Sequence, residues 1–442
     1  MNETSDSEIV STKTKRIVKL AQQAPDMVIK TLAHHVDMSW LREAYRRTRK
    51  RGATGEDGQT AEEYAQQLES NLAKLLELAK SGNYRAPPVR RVHIPKGNGQ
   101  SRPLGIPTFE DKVLQRAIAM LLEAVYEQDF LDCSYGFRPG RNAHQALTTL
   151  RDTLMEMGGG WVIEVDIREY FGSIDHQQLR EALGQRIGDG VVLKLIGKWL
   201  NAGVMEEGQL SYPETGTPQG GVISPLLANV YLHVVLDTWF EREVKPKLGG
   251  KAKLVRFADD FVIALEQERD ARRVYEVLPK RFAKFGLQLH PEKTRLVPFK
   301  RPPPSKDDDG RRGVAQETFD LLGFTLFWAK SVQGYWVIKV ETAPSRFTRT
   351  LHRLSEWCRT HRHLPVVEQW KRLCQSLVGH FNYFGVVGNA GRLLALRHEV
   401  YGTWRRWLDR RSQRARMSWA KMRLLHQRYP LPQLPEMRSL RS

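Results

Sequence analysis

Lys253-Leu-Val-Arg-Phe257-Ala-Asp259-Asp260-Phe-Val-Ile-Ala-Leu265 is the stretch that decides how this chain reads. Two runs rich in β-branched and aromatic residues flank a short turn, the pattern of an antiparallel hairpin, and the turn holds adjacent carboxylates. One aspartate in a turn is ordinary, because its side chain bonds the local backbone. A second beside it adds repulsion that a hairpin gains nothing from unless a cation sits there, and a divalent metal is the simplest compensating charge. Hard oxygen donors with no His or Cys nearby select magnesium or manganese over zinc.

Upstream, Trp161-Val-Ile-Glu-Val-Asp166-Ile-Arg-Glu-Tyr170-Phe171 is an apolar β run that delivers an aspartate at its end. Taken alone, such an aspartate reads as a cap for the next helix, the role expected of Asp175 before His176 to Arg186. Between these segments lies Gly216-Thr-Pro-Gln219-Gly220-Gly221-Val-Ile-Ser224-Pro225-Leu-Leu-Ala-Asn229. Here Ser224 suits an N-cap and Pro225 the first helical turn. A glycine-rich loop with an amide side chain also suits close approach of backbone to a flat ligand such as a base pair. The absence of GxxxxGK[ST] excludes a P-loop.

The 442 residues carry a formal charge of +19, with 41% hydrophobic and 9% aromatic content. That charge points to a polyanionic partner, and the apolar content excludes disordered and collagen-like classes. Of the +19, residues 341 to 442 hold +14, from 20 Lys and Arg against 6 Asp and Glu, together with Trp357, Trp370, Trp404, Trp407 and Trp419. Apolar residues at helical intervals (Leu351, Leu354, Trp357; Trp370, Leu373, Leu377, Phe381) predict amphipathic helices with basic outer faces. Upstream of about residue 340 the texture is α+β, with Arg301 to Gly313 an exposed charged excursion. The apolar runs Ala117 to Tyr126 and Val222 to Leu236 fall short of the ~20 residues of a spanning helix, so no membrane is expected. Met1 to Lys15 is polar, reads as frayed and lacks a secretory pattern, which implies a cytoplasmic protein. Cys133, Cys358 and Cys374 form no C-x-x-C pair, and their spacing with His361 and His363 is too loose for zinc, so no zinc is expected.

The Asp166, Gly216–Asn229 and Asp259 segments, in that order, resemble the palm motifs of reverse transcriptases. Further blocks sharpen the match: Arg91-Val-His-Ile-Pro-Lys96 with Ser101-Arg102-Pro-Leu-Gly-Ile-Pro107, Ser134-Tyr-Gly-Phe-Arg138-Pro-Gly-Arg141, Gly286-Leu-Gln-Leu-His-Pro-Glu-Lys293-Thr294 and Phe319-Asp-Leu-Leu-Gly-Phe324. Together they resemble the group II intron-encoded reverse transcriptase/maturase family, over roughly residues 40 to 430. Leu41-Arg-Glu-Ala-Tyr to Gly55-Glu-Asp-Gly58 resembles its extra fingers block, and Gly379-His-Phe-Asn-Tyr383-Phe-Gly385 with the Trp404 to Trp419 run its maturase thumb. The short segment after Tyr429 has no Cys or His cluster, so the endonuclease domain of some members is expected to be absent.

The resemblance implies an α+β right-hand polymerase: an N-terminal extension (1–40), fingers and palm (41–335) and a helical basic thumb/maturase region (336–442). It makes Asp166 and Asp259 the essential ligands of two magnesium ions, with manganese as the alternative, Asp260 a supporting carboxylate and the Ile167 backbone a further ligand. Lys96 and Arg102 would hold the triphosphate, Phe171 would exclude a 2′-hydroxyl, Gln219 and Gly220 would lie along the nascent base pair, and Lys293 would complete the nucleotide site. Arg138, Arg141, Arg405, Arg406, Arg410, Arg411, Arg414 and Arg416 are the expected RNA contacts. The implied partners are a group II intron RNA, an RNA template with a DNA primer, deoxynucleoside triphosphates and a DNA target. Two departures stand out, a FADD turn in place of YADD and Gly172 where many members have Asp. A splicing-only cofactor and a reverse transcriptase recruited to host defence or repair are the alternative functions.

Overall fold

The computed structural model describes residues 3–97, 100–206, 208–212, 215–216, 220–302, 317–412 and 416–440. Its strands are β1 (Val89–Gly97), β2 (Gln100–Ile106), β3 (Gly159–Asp166), β4 (Val204–Glu206), β5 (Gln209–Ser211), β6 (Ala252–Phe257), β7 (Asp260–Leu265), β8 (Arg295–Lys300), β9 (Phe319–Leu321), β10 (Phe324–Lys330) and β11 (Trp336–Thr342). They form sheets ordered β2-β1-β4-β5, β6-β7-β3-β8 and β11-β10-β9.

The β6-β7-β3-β8 sheet is covered on both sides, and the two-residue period of a strand decides which side chain enters which core. In β7, Phe261, Ile263 and Leu265 face one cluster, whereas Val262 and Ala264 face the other. The first cluster joins the sheet to helices Phe109–Tyr126, Ser224–Leu232 and Glu268–Ala283. The second joins it to helix Ala143–Glu156, to β9, β10 and β11, and to helices Pro344–Thr360, Val366–Phe384 and Ala390–Asp409. Leu354, Leu373, Leu377 and Phe381 are buried there, as their helical spacing predicts.

Several sequence expectations are corrected. The boundary at 335/336 falls between β10 and β11, which pair from Phe324↔Thr342 to Lys330↔Trp336, so the helical region begins at Pro344. Residues 3–15 are not frayed: helix Glu3–Gln23, in the N-terminal extension, buries Val10, Ile17 and Ala21 in the first core. Arg186 fixes the end of that helix by donating to the carbonyls of Ala21, Ala24 and Met27 at 2.7, 2.5 and 2.7 Å, and it pairs with Asp129 at 2.9 Å. The Ala21 carbonyl is one of those that a helix C-terminus leaves without an intrahelical partner, and Ala24 and Met27 belong to the turn that follows. The Asp189 carboxylate accepts from the N–H groups of Leu32 and Ala33. Both anchors lie more than 150 residues downstream, beyond the reach of any local reading.

Asp175 does cap its helix, accepting from Gln178 N at 2.8 Å. Ser224, in contrast, is inside the first turn of its helix rather than at the cap. The N–H groups ahead of it, of Val222 and Ile223, donate to Gln115 Oε1 at 2.8 and 3.4 Å. Most of the Arg301 to Gly313 excursion lies outside the described residues. Among the described residues no helix is long and apolar enough to cross a membrane.

Candidate active site

Phe257 pairs with Asp260 at the end of the β6–β7 ladder, so Ala258 and Asp259 form a two-residue turn. Such turns need positive φ, and Ala258 has φ 57°. In the neighbouring ladder Asp166 pairs directly with Asp260. Two carboxylates opposed across strands, with a third in the adjoining turn, are mutually destabilising without a counter-charge.

The electrostatics follow from that register. Burial raises the Asp259 carboxyl above its ordinary value; Asp166 adds to the rise and Arg102 opposes it. Burial also pushes Asp260 up to about 7, helped by Asp259, Asp166 and Glu164 and opposed by the Leu322 N–H, which donates to it at 3.2 Å. Asp166 Oδ2 is paired with Lys293 Nζ at 2.6 Å, and the Asp166 carbonyl accepts from His290 N at 2.8 Å. Ile167 bridges to Leu289, which holds the chain just beyond Asp166. Among the described residues no group of three His, Cys, Asp or Glu converges as a preformed cage; Asp166 is turned to Lys293 and Asp260 to Leu322. The oxygen-only donor set, and the raising of two of its carboxyls, fit a divalent cation.

The turn is held from beneath by Arg256, which is fully buried. Its Nε and Nη2 bond the two oxygens of Asp237 at 2.7 and 2.6 Å. Nη1 donates to Asn229 Oδ1 at 2.9 Å and to the Ala258 carbonyl at 3.0 Å, and Nη2 also donates to Ser134 Oγ at 2.7 Å. All the donors of the guanidinium fork are thereby satisfied. Asn229 in turn donates to the Gly136 carbonyl at 2.7 Å. A Cβ on Gly136 would sit 2.3 Å from Ala258 N, so only glycine fits against the turn.

On the side facing β2, Arg102 is exposed, and its charge, together with that of buried Arg256, opposes the rise of the Asp259 carboxyl. Tyr170 is core, its hydroxyl donating to the Ala228 carbonyl at 2.6 Å, while Phe171 is half-buried beside it. Gly220 has φ 120°, and a Cβ there would sit 2.7 Å from the Gly105 carbonyl of β2. Gln219, Arg414 and the side chain of Lys96 lie outside the described residues.

The expected RNA-contacting arginines divide. Arg138 is corrected: it is buried, pairs with Glu127 at 3.0 Å and donates to the carbonyls of Leu131 and Ser134, so its guanidinium is committed internally. Arg141 is half-buried and pairs with Asp132 at 2.6 Å. Arg405 is partly committed, donating to the Met417 carbonyl and lying 4.2 Å over the Trp419 ring. Arg411 is exposed and donates to the His363 carbonyl, whereas Arg406, Arg410 and Arg416 are exposed. Cys358 is buried in the second core, and burial pushes its thiol up to about 12, the behaviour of a packing residue.

The family described as reverse transcriptase (RNA-dependent DNA polymerase) matches residues 94–326, just over half of the chain. The chain belongs to the reverse transcriptase family. It is 38% identical over 256 residues to protein YkfC of Escherichia coli, covering 56% of this chain and 66% of that protein. It is 40% identical over 225 residues to the group II intron-encoded protein LtrA of Lactococcus lactis, covering 48% of this chain and 37% of that protein. It is 30% identical over 252 residues to the putative COX1/OXI3 intron 1 protein of Saccharomyces cerevisiae, covering 57% and 30%. The chain thus spans less than two thirds of the length of these relatives. Reverse transcriptases work with divalent metal ions, in agreement with the donor set.

The residues that sequence reasoning missed are those that hold the reverse transcriptase carboxylates in place: Arg256, Asp237, Ser134 and the Leu322 N–H. A signal for Arg256 was present, since it has the same parity in β6 as the buried Leu254 and must point inward with it. Its partner Asp237 carries no such mark.

Removing one member of the Arg256–Asp237 pair leaves the other buried and uncompensated. Arg256→Met or Asp237→Leu should each destabilise by about 3–5 kcal/mol, and the double variant by less than the sum. Thermal and denaturant unfolding of the four proteins measures this, and strict additivity would refute the coupling.

Because Asp260 binds its proton more tightly in the folded protein than in the unfolded chain, the metal-free protein should lose stability through this group as pH rises from about 4 to about 7. Asp260→Asn should remove that loss. Melting temperatures of both proteins in a chelator at pH 5 and 7.5 test it. Magnesium should raise the pH 7.5 value more in the parent.

Proposed function

We propose that this chain is an RNA-directed DNA polymerase that binds a group II intron RNA, assists its splicing and copies it into DNA during intron mobility, by two-metal nucleotidyl transfer. The observation that carries the reading is the Asp166–Asp260 register with Asp259 in the turn, on a sheet buried on both faces. The similarity to the intron-encoded LtrA supports the choice of RNA partner. Read as a right hand, β1, β2, β4 and β5 belong to the fingers, the β6-β7-β3-β8 sheet is the palm, and the helices from Pro344 onward are the thumb.

Asp166, Asp259, Asp260 and the Ile167 backbone would hold two divalent ions, magnesium or manganese. Bound there, such ions lower the pKa of a primer 3′-hydroxyl and neutralise charge on the triphosphate and leaving group. The chain's own residues orient the reactants. Arg102, which already acts on Asp259, and Lys96 hold the triphosphate of the incoming deoxynucleotide, Arg with the option of bidentate contact. Lys293, exposed and paired with Asp166, is placed to exchange that carboxylate for phosphate oxygens. The ring of Phe171 stands against the sugar, with Tyr170 fixed in the core behind it. Gln219 and Gly220 lie along the nascent base pair, the latter close against Gly105 of β2. The exposed Arg406, Arg410, Arg411 and Arg416, with Arg414, and the partly committed Arg405 face the phosphates of a long folded RNA, and Arg141 contributes nearer the palm. A cytoplasmic ribonucleoprotein is the setting this implies.

Two reciprocal variants test the function. Asp259→Ala should abolish primer extension on an RNA template while leaving intron RNA affinity within about twofold. Gln at 406, 410, 411 and 416 should weaken that affinity and shallow its logarithmic salt slope by ~0.7–0.9 per lost phosphate contact, with short-template extension nearly retained. Full extension by the first variant, or parallel losses in the second, would refute the assignment.

Phe171→Val should let ribonucleoside triphosphates be incorporated, because the ring no longer fills the space of a 2′-hydroxyl. The ratio of kcat/KM for ribo- and deoxynucleotides should rise at least tenfold, and an unchanged ratio would place the gate elsewhere.

A further inference from the structure

Phe137 and Arg138 are consecutive in sequence and opposite in fate. Arg138 is buried and fully engaged, whereas the Phe137 ring is 58% exposed. Phe137 also has φ 56°, a left-handed conformation in which an aromatic residue with a Cβ is strained. Glycine stands at 136 and 140 on either side, the latter with φ 71°, so residues suited to tight backbone are used nearby, yet position 137 holds a phenylalanine.

The backbone there has no room to relax. On one flank Tyr135 N donates to the Arg256 carbonyl at 2.8 Å, and Arg256 N donates to the Cys133 carbonyl at 2.8 Å. Gly136 is pressed against Ala258 and held by Asn229. On the other flank the Arg138 guanidinium ties back to Ser134 and Leu131 at 2.9 Å each. The ring is therefore displayed from a rigid segment bonded to the strand that ends in the catalytic turn. Strain that the surroundings impose and the fold does not need is found at functional contacts.

Resting on the polymerase reading above, we propose that Phe137 is a primer–template contact, its ring receiving the face of a nucleobase or sugar next to the Ala258–Asp259 turn. An exposed aromatic suits this because every base has a stacking face and a polymerase must accept any sequence. The neighbouring cation Arg138 is internal and Arg141 is paired with Asp132, whereas the ring of Phe137 is presented outward.

The test uses the full chain. Phe137→Ala should raise the KM and Kd for a primer–template about 5- to 100-fold, with kcat at saturation changed less than threefold, and Phe137→Trp should stay within about twofold of the parent. Phe137→Gly should raise the melting temperature by relieving the left-handed strain while losing affinity as the alanine variant does. A purely structural ring would give the reverse, a lower melting temperature with affinity intact. 2-Aminopurine placed beside the primer terminus, in the template or in the primer, should be quenched by the parent and not by Phe137→Ala, and the quenched arm identifies the strand. Unchanged KM and Kd in Phe137→Ala, a lower melting temperature in Phe137→Gly, or no quenching in either arm would overturn the proposal. Failure of the parent to extend any primer would instead sink the polymerase reading, while binding and quenching would still report on the contact.

Discussion

The guanidinium of Arg256 is the joint on which the carboxylate-bearing end of this molecule depends. A buried charge is costly to desolvate, and the cost is offset only where geometry is close to ideal and every donor has a partner. Here the fork meets Asp237, Asn229, Ser134 and the carbonyl of Ala258 at 2.6–3.0 Å. One side chain thus ties the carboxylate turn to the segment around Gly136, to helix Ser224–Leu232 and to the π-helical turn His233–Asp237 that follows it. Polymerase chemistry needs carboxylates held within about 0.5 Å of a productive geometry. A rigid polar hub under the turn meets that need better than apolar packing, which fixes volume more tightly than direction.

Above the hub the protein accumulates what folding by itself would avoid. Asp166 and Asp260 face each other across the ladder with Asp259 adjoining, and burial raises both turn carboxyls. Lys293 meets Asp166 as a local counter-charge. Backbone strain collects in the same place: of the five non-glycine residues with positive φ among those described, Ala258 adjoins Asp259, Leu322 donates its N–H to Asp260, Phe137 follows the Gly136 pressed against Ala258, and Glu169 lies three residues beyond Asp166. Unbalanced charge and strained backbone together mark a site shaped for a cation and a ligand rather than for stability.

The sheet carries these tensions because it is buried on both faces. The alternation within β7 sends Phe261, Ile263 and Leu265 toward helices Phe109–Tyr126, Ser224–Leu232 and Glu268–Ala283, and Val262 and Ala264 toward helix Ala143–Glu156 and β9, the core that continues into the basic C-terminal helices. Both parts of the chain therefore share the strands that bear the carboxylates. Charge is divided differently. The tail presents outward arginines in excess of its acids, whereas Arg138, Arg186 and Arg256 are buried and paired. An outward field that suits a polyanion and short-range support of the site come from the same residue type in different surroundings.

How much was visible in the sequence depends on the range of the interaction. Chemistry that lives in local pattern was readable: the hairpin with its paired aspartates, Asp166 at a strand end, the Asp175 cap, the amphipathic tail helices and the ordered blocks that resemble reverse transcriptases. These follow from periodicity and turn chemistry, which span a few residues. Partners more than a hundred residues apart were not readable, as with Arg186 anchoring the N-terminal helix, Asp189 holding Leu32 and Ala33, and Ser134 meeting Arg256. The sequence by itself determined the carboxylate hairpin, the amphipathic tail helices and which acids share the turn. Which arginines face solvent and which are sealed inside, and that Phe137 is displayed while Arg138 is buried, only the tertiary structure decided, because burial and hydrogen-bond satisfaction depend on what the distant chain brings to each side chain.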